Sequence, residues 1–179
     1  MIFTKTKLDG AYVIDIEKKE DDRGFFARTF CADEFLENGL SINFVQANTS
    51  FNNKKGTIRG MHFQKSPYEE DKLVRCTKGS VFDVIIDLRK NSPTYKQWFG
   101  AELSEGNRRA LFVPKGFAHG YLTLEDNSEV TYLVTQFYNP NADSGVRFND
   151  PVFAINWPIE PTVISEKDKN HSDYRENNK

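Results

Sequence analysis

The chain has 179 residues, of which 38% are hydrophobic and 13% aromatic, enough to bury one core without disulfides or a structural metal. We therefore expect a single domain spanning residues 1–179. Its 24 basic and 26 acidic residues give a net charge of -2, which excludes a polycationic surface for nucleic acid or an anionic membrane. No segment approaches the ~18 continuous apolar residues of a membrane span or resembles a signal peptide, so we expect a cytoplasmic protein. The two cysteines, Cys31 and Cys76, suggest neither a disulfide framework nor a zinc site.

Short runs rich in β-branched and aromatic residues, separated by Gly, Asn, Asp or Pro, are typical of an all-β sandwich or barrel. The first predicted strands are 11–16, 24–30, 43–51, 57–64 and 72–78. The later ones are 80–89, 97–103, 109–114, 120–124, 130–138 and 145–148. The segment ADEFLENGL (32–40) predicts one short helix, with Phe35 and Leu36 to bury and Gly39 at a left-handed cap. The polar residues after Trp157 are typical of a solvated, frayed end.

Alternation along strand 80–89 raises a question about a carboxylate. Asp83 shares a face with Val81 and Ile85, because every second residue of a strand points the same way. If that face is turned inward, the carboxylate enters the interior and needs a cation or several hydrogen-bond donors. Lys72 is a candidate partner.

Strand 57–64 raises a second question, because His62 stands among apolar neighbours in RGMHFQ. His62 shares a face with Gly60, which leaves Arg59 on the opposite face unless Gly60 introduces a bulge. An inward face with histidine, tyrosine, lysine and aspartate could transfer protons. Taken singly, His62 is more simply interpreted as a hydrogen-bonded core residue, and Tyr132 as a core aromatic residue whose hydroxyl reaches solvent.

Linked motifs point further than any single residue. They are DDRGFF (21–26), TIRGMHFQ (57–64), KLVRCTKGSVFDVIIDLRKNSPTY (72–95), PKGFAHGYLTL (114–124) and ISEKD (164–168). In this order the chain resembles the dTDP-4-dehydrorhamnose 3,5-epimerase family from about Asp21 to Asp168. The resemblance implies an all-β double-stranded β-helix, the cupin-type jelly-roll barrel, forming a homodimer by exchange of an N-terminal strand. It also implies a nucleotide-diphosphate sugar substrate, inversion at C3 and C5, and no metal or organic cofactor.

The resemblance assigns the catalytic groups by position. It implies that His62 is the general base and that Asp168 pairs with it, fixing the tautomer and stabilising the imidazolium. Lys72 would stabilise the enolate oxygen, with Asp83 holding its ammonium. Tyr132 would be the acid on the far side of the sugar, because a proton returned from the same side restores the starting configuration.

The resemblance also implies a binding pocket for the nucleotide and the sugar. Its positions are Arg23, Gln46, Asn48, Arg59, Asp83, His119 and Tyr138. His119 also fits the Pro-x-Gly-x-x-His pattern of metal-binding cupins. The other histidines are His62, without His-x-His spacing, and His171 in the polar tail, so a transition-metal site is not supported.

Departures from the family pattern leave alternatives open. Arg28 stands where the family usually has an acidic residue, and Glu70–Asp71 precede Lys72 where Gln–Gly is frequent. One alternative is an isomerase or single-centre epimerase on a related 4-keto sugar, carried by another nucleotide such as GDP. A non-catalytic sugar-binding module and a metal-dependent cupin are more distant alternatives.

Overall fold

The computed structural model describes residues 1–175, in which thirteen strands and two short helices form. The first strands are β1 (Ile2–Lys5), β2 (Tyr12–Asp15), β3 (Lys19–Asp21), β4 (Gly24–Phe26), β5 (Gln46–Asn52), β6 (Ile58–Gln64) and β7 (Lys72–Lys78). The later strands are β8 (Ser80–Asp87), β9 (Trp98–Ser104), β10 (Ala110–Val113), β11 (Phe117–Thr123), β12 (Ser128–Val134) and β13 (Asp143–Gly145). The helices are α1 (Ala32–Glu37) and α2 (Glu166–Lys169).

These strands form two facing antiparallel sheets and a separate β3–β4 hairpin. The larger sheet has the order β1-β2-β10-β7-β12-β5, and the smaller one β13-β6-β11-β8-β9. From β5 to β8 and again from β9 to β13, successive strands alternate between the sheets. This alternation is the double-stranded β-helix of a cupin-type jelly roll, which confirms the expected fold class. Neither described helix has the length and apolarity needed to cross a bilayer.

The main core lies between the two sheets. Val74 and Leu111 of the larger sheet are fully buried against Val81, Ile85 and Tyr121 of the smaller one. The inward face of β8 is therefore the one that carries Asp83, whose exposure is 0%. The strand pattern had left the direction of this face open, and its burial leaves a carboxylate that must find its partners inside the barrel.

Both outer faces are also covered. Tyr12 and Phe112 of the larger sheet pack against Phe35 of α1, and Val84 and Ile86 of β8 pack against the segment that contains Phe153. The predicted helix is confirmed, and Gly39 has the expected left-handed φ of 71°. Leu36, however, is 56% exposed, because a helix this short buries a single stripe.

Several predicted boundaries were wrong. The strand predicted over 130–138 ends at Val134, so Tyr138 lies outside it, and the run 24–30 contributes only β4. The sequence pattern also missed β1, β3 and the short helix α2. The polar tail was predicted to be frayed, but its residue Asp168 is only 3% exposed. Hydropathy failed here because a segment of polar residues can be anchored by hydrogen bonds alone.

A bulge occurs at Gly60, which decides the question that the sequence left open. His62 pairs with His119 and Arg59 pairs with Tyr121, so β6 has one more residue than β11 between the two pairs. Gly60 has a φ of 129°, and a Cβ placed on it would lie 2.5 Å from the Cα of Gly120. Only glycine fits this position. The extra residue restores Arg59 and His62 to one face, the inward face shared by His119 and Tyr121.

Candidate active site

A cavity of about 270 Å³ opens between the two sheets. Its lining residues are Gln46, Asn48, His62, Phe63, Gln64, Glu70, Lys72, Tyr132, Val134, Gln136, Tyr138, Asp143 and Lys167. The strand register explains one wall, because Tyr132 lies opposite Asn48, and Val134 lies opposite both Gln46 and Lys72. These side chains share one face of β5, β12 and β7. His62, on β6, belongs to the other sheet.

A histidine–carboxylate pair stands in the opposite wall. The Nε2 of His62 lies 2.6 Å from the Oδ1 of Asp168, and the backbone N–H of Gly60 donates to Oδ2 at 3.2 Å. Burial tends to raise the pKa of Asp168, but the hydrogen bonds from His62 and Gly60 outweigh it and hold the pKa below its ordinary value. Asp168 is therefore an ionised acceptor. The His62 side chain is 35% exposed, whereas that of Asp168 is 5% exposed.

Local contacts bring the distant tail to His62. Thr57 and Val163 form a parallel bridge, and Ile58 donates its N–H to the carbonyl of Val163 at 2.9 Å. The chain then enters α2, where the Oγ of Ser165 accepts from the N–H of Asp168 at 3.1 Å. This is an ordinary serine N-cap. It fixes the backbone so that the Asp168 carboxylate points toward β6.

The partner expected for Lys72 was wrong. The ammonium of Lys72 lies 3.1 Å from Glu70, which also accepts a short hydrogen bond from Gln64. The partner of Asp83 is instead His119, whose Nε2 lies 3.0 Å and 2.9 Å from the two carboxylate oxygens. Strand alternation grouped Asp83 with Val81 and Ile85 but could not show which side chain its carboxylate would meet. Glu70 was noticed only as a departure from the family pattern.

Tyr132 lies in the wall opposite His62. Burial raises the pKa of Tyr132, and the nearby Tyr121 and Glu70 add to the shift, because each disfavours a phenolate. The hydroxyl therefore keeps its proton at neutral pH. A protonated phenol in this position can donate to a molecule in the cavity.

Five predicted site residues lie outside the cavity lining, namely Arg23, Arg59, Asp83, His119 and Asp168, which stands behind His62. Arg59, an exposed residue of β6, donates to the Oδ1 of Asn52 at 2.7 Å and pairs in the sheet with Tyr121, whose side chain points inward. Arg23 stands on the β3–β4 hairpin, where it pairs with Asp21 at 2.6 Å and is 90% exposed. Within the described part of this chain, Arg23 has no contact with the cavity.

The mouth of the cavity contains a cluster that the sequence interpretation missed in part. Asp143 accepts from the hydroxyl of Tyr138 at 3.0 Å and forms a short ion pair with Lys167. Burial favours a raised pKa for Asp143, but Lys167 and Tyr138 together lower it, and Asp143 in turn raises the pKa of Lys167. Tyr138 was predicted as a binding residue. Asp143 and Lys167 carry no periodic signal, and only the fold brings them together.

Comparison with known proteins identifies this arrangement. The family model for dTDP-4-dehydrorhamnose 3,5-epimerase matches residues 5–176. The chain belongs to this family. It is therefore an enzyme of the isomerase class.

Individual members of the epimerase family are similar to this chain over nearly its whole length. The dTDP-4-dehydrorhamnose 3,5-epimerase of Methanothermobacter thermautotrophicus is 49% identical, covering 98% of this chain and 95% of the relative. The Bacillus anthracis epimerase, solved with TDP and PPi bound, has a TM-score of 0.93 at 42% identity and covers 97% of this chain and 99% of its own. The Legionella pneumophila epimerase, solved with dTDP-4-keto-L-rhamnose, has a TM-score of 0.88 at 39% identity. The match covers 94% of this chain and 89% of the Legionella chain.

Arg28, the notable departure from the family, lies away from the cavity of this epimerase. Its guanidinium is 3.3 Å from Glu34, and it lines a separate small hollow with Met1 and Lys19. The charge reversal therefore does not alter the cavity formed by this chain.

His171 is the residue that the sequence interpretation most clearly misplaced. It was set aside as part of a polar tail, but its ring centroid lies 6.0 Å from that of His62. Its Nε2 is 3.8 Å from the Oδ1 of Asp168. Burial lowers the pKa of His171, and the neighbouring His62 lowers it further. The imidazole is thus predominantly neutral at neutral pH.

Proposed function

We propose that this epimerase converts dTDP-4-dehydro-6-deoxy-D-glucose to dTDP-4-dehydro-L-rhamnose by inverting C3 and C5. Both carbons are adjacent to the C4 ketone, so removing either proton gives an enolate whose charge lies on the C4 oxygen. The observation that best supports the proposal is the His62–Asp168 pair, which faces Tyr132 and Lys72 across one cavity. The relatives named above act on, or were solved with, molecules of this type.

In this proposal His62 is the base. The ionised Asp168 can only accept a hydrogen bond, so the proton of the neutral imidazole resides on Nε2, and Nδ1 is left to take the substrate proton. The carboxylate stabilises the imidazolium that results. Its burial strengthens this interaction, because little solvent screens the pair.

Inversion requires a proton from the other side of the sugar. Tyr132 belongs to the larger sheet and His62 to the smaller one, so a sugar ring between the sheets would meet them on opposite faces. Lys72 lies beside Tyr132 on the same wall. Its ammonium has three donors, so pairing with Glu70 leaves a donor for the C4 oxygen as negative charge develops there.

The remaining predicted residues are assigned to binding. Gln46 and Asn48 line the cavity beside Tyr132, and Tyr138 stands at its mouth, where an aromatic ring can stack on a base. Arg59 lies on the same inward side, available for a diphosphate. The buried Asp83–His119 pair supports the wall behind it.

Incubation with dTDP-4-dehydro-6-deoxy-D-glucose in deuterated water tests the reaction. We expect deuterium at both C3 and C5 of the inverted product, located by NMR and mass spectrometry, and its loss in His62→Asn. Label at one carbon alone would favour a single-centre epimerase. Tight binding of dTDP without label would favour a sugar-binding module, and turnover of a GDP-linked sugar instead would favour the other nucleotide.

We further propose that the protein is a homodimer in which the β3–β4 hairpin contacts the partner. The hairpin exposes Phe25 and Phe26, at 44% and 70%, and presents Arg23 outward from its own cavity. Exposed aromatics of this size are typical of association surfaces. Light scattering should give twice the chain mass, and Phe26→Asp should give the single mass. The exchange of an N-terminal strand between protomers and the cytoplasmic location stay predictions.

A further inference from the structure

Three metal-ligand side chains meet beside the cavity. A nitrogen from each of His62 and His171 and an oxygen of Asp168 lie within 4.8 Å of one another. The two imidazoles come from β6 and from the segment after α2, which converge only in the folded protein. Two histidines and one carboxylate are a donor set that suits Zn²⁺ and its neighbours in the transition series.

The spacing of these donors is close to what such an ion requires. Zinc–nitrogen and zinc–oxygen bonds of about 2.0–2.2 Å imply tetrahedral ligands about 3.3 Å apart. The Nε2 of His171 is 3.8 Å from the Oδ1 of Asp168, and the Nε2 of His62 is 2.6 Å from the same oxygen. Shifts of less than about 1 Å along these two distances would therefore suit the ion. Rotation of the partly exposed His62 ring and of the Asp168 carboxylate can provide them.

An unpartnered nitrogen of His171 points to a ligand. Its Nε2 is a buried polar atom without a hydrogen-bond partner among residues 1–175, which is costly unless something binds it. The ring is also closely seated, since a Cβ on Gly145 would lie 2.5 Å from that nitrogen. Glycine at this position leaves room for the imidazole, and the bare nitrogen faces the Asp168 carboxylate.

We propose that His62, Asp168 and His171 bind one divalent cation of the Zn²⁺ class, and that this cation reversibly inhibits the enzyme. Coordination through Nε2 of His62 moves the ring proton to Nδ1, so the imidazole stays neutral and no electrons are exchanged. Nδ1 is the nitrogen assigned above to accept the substrate proton, and in this tautomer it cannot. The inhibition rests on the proposed function, whereas the cation site does not.

Zinc affinity measured by competition with a chromophoric chelator tests the site. A Cys31→Ser background removes the more accessible thiol, because Cys76 is buried. We expect one Zn²⁺ per chain in this background, and affinity at least about tenfold weaker in His171→Asn and His171→Phe, since lesser changes near a metal already cost that much. The phenylalanine variant keeps a ring against Gly145. Mg²⁺, which prefers oxygen ligands, should not compete.

Nitrogen NMR of the imidazoles gives an internal control. Zn²⁺ should shift the ring signals of His62 and His171 and leave those of His119, which is held by Asp83, unchanged. Equal zinc affinity in wild type and both His171 variants, or no binding of one ion per chain, would overturn the site. Binding without slower epimerisation would overturn the inhibition alone. An inactive protein that still binds Zn²⁺ would contradict the proposed function and not the cation site.

Discussion

Replacing Asp168 with asparagine tests the base most directly. The two carboxylate oxygens each receive a donor, the Nε2 of His62 at 2.6 Å and the N–H of Gly60 at 3.2 Å. An asparagine side chain has one acceptor oxygen. If that oxygen stays with Gly60, the amide NH₂ faces Nε2 and drives the ring proton onto Nδ1, which disables the base.

The expected loss follows from what such a base contributes. General base catalysis typically supplies about 10²–10⁴-fold, or about 2.7–5.5 kcal/mol of barrier, and the wrong tautomer forfeits that contribution. We therefore expect kcat of Asp168→Asn to fall by about 10²–10⁴ while the affinity for dTDP changes little. The carboxylate lies behind the ring, away from the cavity lining, so it does not contribute to nucleotide binding.

The assay is the steady-state rate of epimerisation, coupled with calorimetric titration of dTDP. Asp173→Asn is the matched control, because Asp173 lies in the same tail but pairs with Arg147 on the surface. It should retain wild-type kcat. A folded Asp168→Asn protein with more than about a tenth of wild-type kcat would refute the role given to the pair.

Three further predictions concern other positions. Tyr132→Phe should lower kcat about 10²–10⁴-fold with little change in dTDP affinity, and a near-normal rate would assign the acid elsewhere. Gly60→Ala should lower the free energy of unfolding in urea by at least about 1–3 kcal/mol, because its φ is 129° and its Cβ would strike Gly120, whereas Gly106→Ala meets only one side-chain atom, at 3.7 Å, and should change it little. Burial raises the pKa of Cys76 from 9.0 to about 11, so the unfolded chain releases this proton first. The free energy of unfolding in urea should therefore fall as pH rises from 9 to 11, and it should fall less steeply in Cys76→Ala. The same pH dependence in both proteins would contradict this.

The strand pattern predicted an all-β sandwich or barrel because strand alternation is a strong local signal, and the family resemblance narrowed this to the jelly-roll barrel. Alternation grouped Asp83 with Val81 and Ile85, and all three are buried. The sequence raised a bulge at Gly60 as one of two geometries for Arg59 and His62, and the structure has the bulge. Both are properties of one strand and its immediate neighbours.

Alternation could not predict which groups meet across the fold. The ammonium of Lys72 contacts Glu70, two residues away, and not Asp83, because the loop before β7 turns Glu70 back into the cavity. His171 and Asp143 were missed for a similar reason. Their positions depend on where the segments after β12 pack, which hydropathy and spacing do not encode.

Because α2 supplies Asp168, the partner of His62, the site is completed late in the synthesis of the chain. Nearly all of the cavity wall lies between residues 46 and 143, whereas Asp168 follows much later in the chain. A polypeptide emerging from the ribosome can therefore complete its barrel before the carboxylate of Asp168 is available to pair with His62. In the proposed mechanism, we expect cleavage between Val163 and Ser165 to leave a protein that still binds the nucleotide sugar but does not epimerise it, because His62 would lack its carboxylate. Such a truncated chain would sequester the substrate of the intact enzyme.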